Sequence, residues 1–184
     1  MKFKSLISVL AAVLMHTTSS FATQYDDEDS IYGMVNRGDM DGFSHMVALG
    51  YDIDEVDADG TTPLMISCLL NKPEFAQFLI SNGANVEMRS FDGRTAMHYA
   101  AQVGANELID ILYEADANVN IPDFDGNTPL FYAIRGNHRF TVERLFTIGA
   151  DINFINAKKE TPLKLAERLR YRNIVTFLKS KGAK

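Results

Sequence analysis

The chain has 184 residues, of which 46% are hydrophobic and 23% charged, so it can bury a sizeable core. This composition excludes a disordered chain, a collagen-like chain and a polytopic membrane protein. The single cysteine excludes an internal disulfide framework and any zinc or iron–sulfur site built from several cysteines of this chain. A net charge of −6 argues against nucleic-acid binding, because neutralising phosphates requires an excess of lysine and arginine. We therefore expect no metal, no cofactor and no nucleic-acid partner.

Residues 1–22 have the three-part pattern of a secretory signal peptide. Two lysines form a basic start, Leu6–Met15 is an uncharged apolar run, and Ser20 and Ala22 are the small residues of a cleavage site. A membrane anchor is disfavoured, because ten apolar residues in a helix span about 15 Å, roughly half of a bilayer core. We predict cleavage after Ala22, leaving an exported mature chain, 23–184, with a net charge of −8 and no transmembrane span.

Two short motifs recur through the mature chain with a period of 33 residues. The first, a variant of Asp-Gly-x-Thr-Pro-Leu, begins at positions 59, 92 and 125 and fades at position 158. The second, close to Gly-Ala-Asn, begins at positions 83, 116 and 149, with weaker copies at 50 and 182. Two markers in phase across five units indicate a repeat architecture.

Each unit has the local signals of two short helices. The threonine of the first motif is an expected helix N-cap whose hydroxyl accepts a backbone N–H, and proline suits the first helical position. These threonines are Thr62, Thr95, Thr128 and Thr161. A second apolar-periodic stretch follows and ends at a glycine, where a left-handed residue is favoured. Because one such pair cannot bury its apolar face alone, neighbouring pairs must stack.

This pattern resembles the ankyrin repeat, which runs Asp-Gly-x-Thr-Pro-Leu-His-x-Ala with Gly-Ala-Asp-x-Asn near its end. The resemblance implies an all-α solenoid of helix-turn-helix units joined by β-hairpin loops. It divides the domain 23–184 into an N-terminal capping repeat (26–58), three full repeats (59–91, 92–124 and 125–157) and a C-terminal capping repeat (158–184).

Two residues depart from the repeat pattern. Asp116 replaces the glycine that ends the second helix, and aspartate adopts the left-handed conformation there at a cost of about 1 kcal/mol. Arg144 takes a position that is Phe78, Ile111 or Phe177 in other units, so its charged end must reach solvent or find a partner.

The remaining candidates for chemistry are better explained as structural residues. Cys68 lies in the apolar run 64–70, where a lone cysteine packs as a small hydrophobe. The resemblance implies that His98 ties neighbouring repeats through hydrogen bonds, and we interpret His138 in the same way. The acidic stretch 52–60 superficially resembles a calcium loop but lacks the glutamate at position 12. No serine-hydrolase or phosphate-loop motif is present in the sequence, so we expect no enzyme.

The resemblance implies that the loop tips and the exposed side of the first helices form a concave binding face. Phe91 and Phe124 precede the Asp-Gly of adjacent units, and we predict that they anchor a partner from tips about 10 Å apart. The alternative is that each ring folds back on its own hairpin. We expect Arg94 and Asn127 to form a polar rim. The full predicted set is Asp59, Thr61, Leu69, Phe91, Asp92, Arg94, Gln102, Val103, Phe124, Asp125, Asn127 and Arg135, flanked by Ala58 and Leu70.

Charge is distributed unevenly along the chain. Residues 158–184 hold nine basic and two acidic side chains, a net charge of +7, whereas the preceding mature part carries −15. A capping helix must be polar on its outer face, which explains this excess as a solvated surface. The alternative function is adhesion to an anionic surface or polymer.

The sequence therefore predicts an exported, non-catalytic module that binds another protein, or acts as a scaffold, in the periplasm or after secretion. The alternative is an adaptor that binds an anionic surface or polymer through the basic C-terminal cap. We expect the mature protein to be a monomer.

Overall fold

The structure, a computed structural model, describes residues 31–184, which form ten α-helices arranged as five consecutive pairs. These are α1 (Ile31–Arg37), α2 (Met40–Ala48), α3 (Pro63–Leu69), α4 (Pro73–Ser81), α5 (Ala96–Val103), α6 (Asn106–Glu114), α7 (Pro129–Arg135), α8 (Arg139–Thr147), α9 (Pro162–Arg168) and α10 (Arg172–Ser180). The predicted signal peptide, 1–22, lies outside the described residues.

The first helix of each of the last four pairs begins one residue after the predicted threonine. The Thr62 and Thr161 hydroxyls accept the N–H groups of Met65 and Lys164, each at 3.3 Å. Thr128 differs: the Phe131 N–H donates to the Thr128 backbone carbonyl at 3.0 Å, and the buried Thr128 hydroxyl has no partner. The prediction that every threonine hydroxyl caps its helix is therefore wrong for Thr128.

Both departures from the repeat pattern are accommodated locally. Asp116 follows α6 with φ +62°, the left-handed conformation that Gly149 adopts after α8 with φ +100°, as predicted. Arg144 finds a partner, because its Nε donates to Asp110 Oδ1 on the preceding outer helix at 2.5 Å.

The core runs the length of the stack, where the inner helices α3, α5, α7 and α9 pack in sequence and the outer helices cover them. Leu64, Met97 and Leu130, at equivalent positions of three units, are each almost wholly buried. Cys68 is buried too, and burial raises the pKa of its thiol to about 12, which confirms its interpretation as a core residue. Stacking of equivalent apolar positions thus builds one continuous core.

The loops between units are tight turns. Each is closed by one backbone hydrogen bond between residues four apart, namely Asp57 N–H to Thr61 O, Ser90 to Arg94, Asp123 to Asn127 and Asn156 to Glu160. Successive turns are joined by Phe91 N–H to Asp59 O at 3.0 Å and by Phe124 N–H to Asp92 O at 3.1 Å. The expected β-hairpins are thus reduced to isolated turns, and 31–184 contains no β-strand.

Candidate functional site

A groove of about 520 Å³ lies between the first two turns and the inner helices α3 and α5. Seven of the predicted binding residues line it: Asp59, Thr61, Leu69, Phe91, Asp92, Arg94 and Gln102. The sequence interpretation missed three further lining residues, Asp57, Ile66 and Tyr99. Ile66 and Tyr99 lie 33 residues apart, at equivalent positions of successive inner helices. The groove therefore lies on the predicted concave face.

Two phenylalanine rings stand at the edge of this face. Phe91 is 69% exposed and Phe124 71% exposed. Each ring rests on the preceding turn: a Cβ built on Gly60 would come within 2.6 Å of Phe91 Cδ1, and one on Gly93 within 2.8 Å of Phe124 Cδ1. Both rings therefore lie against the preceding turn and leave most of their surface open to a partner.

Arg94 is held firmly in the floor of the groove. Its guanidinium forms an ion pair with Asp92, donates to Gln102 Oε1 at 3.3 Å, and lies 5.0 Å from the centroid of the Tyr99 ring. Burial works to raise the pKa of Asp92, but hydrogen bonds from Arg94 and Ser90 together hold it below its ordinary value. Asp92 therefore stays ionised, and the pair presents a fixed dipole to the groove.

Two predicted binding residues are buried. Thr61 is only 7% exposed and Asn127 only 1%. The Asn127 side chain donates to Asp123 at 3.2 Å and accepts from Arg135 Nη2 at 2.9 Å and from Asn156 Nδ2 at 3.0 Å. The prediction of a surface contact is wrong for Asn127, because an asparagine amide engaged by three neighbours has no surface left for a partner. Thr61 keeps only a small exposed part, which lines the groove.

The contact of Asn127 with Arg135 belongs to a repeated arrangement that the sequence interpretation missed. In three units the last residue of the turn bonds a side chain eight residues later, at the end of the inner helix. The pairs are Arg94 with Gln102, Asn127 with Arg135 and Glu160 with Arg168. In the unit that precedes these three, the equivalent residues are Thr61 and Leu69, which do not form such a polar pair.

The other predicted residues remain accessible. Leu69, Gln102 and Val103 are partly exposed on the inner helices. Four more are exposed along the turns and at the end of α7, namely Asp59, Asp92, Asp125 and Arg135. With the two phenylalanines and Arg94 they form the candidate binding face.

Histidines tie the units together, as the resemblance implied. His98 Nδ1 accepts the Thr95 N–H at 3.0 Å, so its Nε2 carries the proton that is donated to the Asn127 carbonyl at 3.1 Å. Burial lowers the pKa of His98 to about 4, which keeps the imidazole neutral near pH 7. His138 Nε2 donates to the Gln102 carbonyl at 3.0 Å. Both residues act in the structure as bridges between neighbouring repeats.

The surface of the stack becomes basic towards the C-terminus. All nine basic side chains of 158–184 are exposed. Glu160 is paired with Arg168 at 2.7 Å and Glu167 with Lys179 at 2.8 Å, and the bond from Arg168 holds the pKa of Glu160 below its ordinary value. The two acidic residues of this segment are thus both engaged with cations, and the excess charge lies on the surface.

The acidic stretch 52–60 contains a carboxylate that accepts backbone N–H groups of its own turn. Asp57 Oδ1 accepts the N–H groups of Asp59 at 2.9 Å and Thr61 at 2.8 Å, which stabilises the turn. Across 31–184, no three His, Cys, Asp or Glu side chains are grouped as the ligands of a metal ion. Nor does any helix in that range have the length and apolar character needed to cross a membrane.

Comparison with known proteins agrees with the geometry. A family model described as ankyrin repeats (3 copies) matches residues 31–123 and 115–184. A search of curated proteins found no match. The family match covers every helix pair that the structure describes.

Proposed function

This chain belongs to the ankyrin-repeat family, whose repeats are generally protein–protein interaction modules, and we propose that it is a non-catalytic binding module or scaffold for another protein. The observation that carries the proposal is the pair of exposed rings, Phe91 and Phe124, on consecutive turns, the first of which lines a 520 Å³ groove. Exposed aromatic side chains next to a concavity supply interface anchors at little entropic cost. Members of this family are typically non-catalytic.

The proposal includes export and a monomeric state. The basic start, the apolar run and the small residues before Thr23 support delivery to the periplasm or the medium. A monomer leaves the groove open to its partner.

Affinity capture with the full chain tests this function. Protein recovered from periplasm or culture medium is compared between the wild type and the double variant Phe91→Ala/Phe124→Ala, with Phe140→Ala as the matched control. Phe140 is a suitable control because it is 72% exposed but lies on the outer helix α8. We expect the partner to be captured by the wild type and the control and lost with the double variant.

Calorimetry on the captured partner then measures how much binding free energy is lost when each phenylalanine is truncated. Truncation of an interface anchor costs about 2 kcal/mol or more, so each single variant should weaken binding at least about thirtyfold. Unchanged affinity in the folded double variant would eliminate the groove as the binding site.

A second candidate function is supported by the nine exposed cations of 158–184. We propose that this surface, if the groove has no protein partner, holds the module on an anionic surface or polymer. Vesicles with and without anionic lipid test the surface form of this candidate, using the wild type and the triple variant Lys158→Gln/Lys159→Gln/Lys164→Gln. Binding that requires the anionic lipid, weakens with salt and falls in the triple variant would support it, because counterion release governs such contacts. Equal binding to both vesicles would contradict it.

A further inference from the structure

The exposed Phe124 ring lies against the preceding turn, 90–94, and an arginine of the chain contacts it there. The Arg89 guanidinium lies 5.2 Å from the centroid of the Phe124 ring. Arg89 also donates from Nε to the Gly93 carbonyl at 3.1 Å and from Nη2 to the Pro122 carbonyl at 2.6 Å. The chain itself thus places an arginine between the aromatic ring and two backbone carbonyls.

The equivalent place beside Phe91 is occupied differently. The residue 33 positions before Arg89 is Val56, which is exposed and has no side-chain donor. The residue equivalent to Arg94 is Thr61, and the residue equivalent to Ser90 is Asp57. The turn 57–61 therefore lacks the two arginines, Arg89 and Arg94, that accompany the turn 90–94, and it has a carboxylate, Asp57, in place of a serine.

The other features that surround Arg89, an exposed ring and a glycine carbonyl, recur beside Phe91 at the turn 57–61. The Phe91 ring lies on Gly60 as the Phe124 ring lies on Gly93, and the same backbone hydrogen bond joins each pair of turns. Within the described residues, no cation lies over the Phe91 ring and no side chain donates to the Gly60 carbonyl. The groove beside the ring is lined by apolar side chains such as Leu69 and by three carboxylates, those of Asp57, Asp59 and Asp92. Its one arginine, Arg94, is ion-paired with Asp92, so the groove is apolar with an excess of acidic groups.

We infer that the groove takes an arginine side chain of the partner, stacked on Phe91, with its N–H groups directed at the Gly60 carbonyl and the Asp57 carboxylate. This inference rests on the proposed function and names the chemistry of the partner's anchor. A planar guanidinium suits the site better than an ammonium group, because it stacks on the ring and donates in its plane at the same time. Apolar residues beside the arginine would contact Ile66 and Leu69.

Short peptides test this inference without the natural partner. The full chain, labelled with ¹⁵N, is titrated with acetyl-Gly-Leu-Arg-Leu-Gly-amide and with the same peptide carrying citrulline, which is neutral and nearly isosteric with arginine. We expect the arginine peptide to shift the amide signals of Gly60, Leu69 and Phe91, and the citrulline peptide to bind at least about fivefold more weakly. Equal binding of the two peptides, or shifts spread over the acidic surface away from Phe91, would overturn the inference.

Two variants sharpen the test. Phe91→Leu keeps an apolar side chain but removes the ring face, and it should weaken binding of the arginine peptide at least about threefold. Val56→Arg should fill the site from within the chain, as Arg89 does at Phe124, and abolish the binding. Phe140→Leu is the control and should leave the titration unchanged. Full peptide binding by both test variants would contradict the inference, and Phe91→Leu alone decides it if Val56→Arg does not fold.

The outcomes separate this inference from the proposed function. A captured protein that requires Phe91 and Phe124, together with no preference for arginine over citrulline, would retain the binding module and reject the arginine anchor. An arginine preference at Phe91, together with capture unaffected by both aromatic truncations, would retain the arginine site and reject the groove as the partner interface.

Discussion

Single side chains link neighbouring repeats in this molecule. His98 and Asn127 form one such link, because the histidine of one unit donates to the backbone of the next while the asparagine amide bonds three further residues. Buried polar groups stabilise a fold only when they are hydrogen-bonded, and here each polar atom of the imidazole has a partner. These residues therefore set how one repeat sits on the next.

The neutral state of His98 makes the stability of the protein pH-dependent. Its pKa is about 4 in the folded chain and 6.5 in the unfolded chain, so acid protonates the unfolded state first. The contribution is complete above pH 6.5 and is lost as the pH falls towards 4. Between pH 7.5 and pH 5 we expect a loss of about 2 kcal/mol from this residue. Urea unfolding at these two pH values measures it.

Two variants isolate this pH effect. His98→Gln should remove the loss between pH 7.5 and pH 5, whereas His45→Gln, at an exposed position, should retain it. A pH dependence identical in wild type and His98→Gln would show that other groups cause it.

Thr128 should contribute less to stability than its counterparts. Its hydroxyl makes no hydrogen bond, whereas the Thr62 hydroxyl accepts the Met65 N–H at 3.3 Å. Thr62→Ala should therefore cost about 1 kcal/mol and Thr128→Ala measurably less. Urea titration followed by circular dichroism compares the two, and equal costs would indicate that the Thr128 hydroxyl does cap its helix in solution.

At the scale of the element, the helix pair is the unit that repeats. Each inner helix is only seven or eight residues long from α3 onward, too short to be stable in isolation. Stability comes from burying its apolar side against the helices before and after it. A cavity in one inner helix therefore affects three units at once.

The variant Leu130→Ala tests the assignment of equivalent apolar positions of each repeat to the core. Leu130 is fully buried in α7, and truncation should cost about 2 to 5 kcal/mol by leaving a cavity in the stack. Urea unfolding compares it with Thr128→Ala at the same helix start. A cost for Leu130→Ala no greater than that for Thr128→Ala would show that the core register is wrong.

A further prediction concerns the cleavage of the N-terminal segment. We predict that export removes 1–22, so that the mature chain begins within a residue or two of Thr23. Intact-mass measurement on protein purified from an exporting host determines the new N-terminus. Recovery of a folded cytoplasmic protein that retains Met1 would contradict the prediction.

At the scale of the whole molecule, the basic segment and the groove are separated. The basic side chains are concentrated in 158–184, whereas the groove, with Phe91 in its lining, lies around the first two turns. The two candidate functions therefore use different ends of one stack. Variants at one end should leave binding at the other unchanged, because sites far apart contribute additively.

We expect the protein to be a monomer in solution. A net charge of −6 opposes self-association, and the exposed large hydrophobic residues are scattered among turns and outer helices. Sedimentation equilibrium over a range of protein concentrations tests this. A dimer that dissociates in the Phe91→Ala/Phe124→Ala variant would instead make a second copy the occupant of the groove.

The sequence by itself determined the repeat, its helix starts and its core. These features depend on local signals, such as threonine caps, left-handed residues and apolar periodicity, which recur every 33 residues and so reinforce one another. The exposed phenylalanines followed from the same register. The repeat boundaries and the export signal stay predictions from sequence.

Only the tertiary structure decided which polar residues face solvent. Asn127 and Thr61 occupy turn positions, yet both are buried. Arg89 reaches 33 residues ahead to the Pro122 carbonyl, and Asn127 meets an asparagine 29 residues away. Such contacts depend on how closely one repeat stacks on the next and on which long side chain fills the space, and no local pattern encodes either.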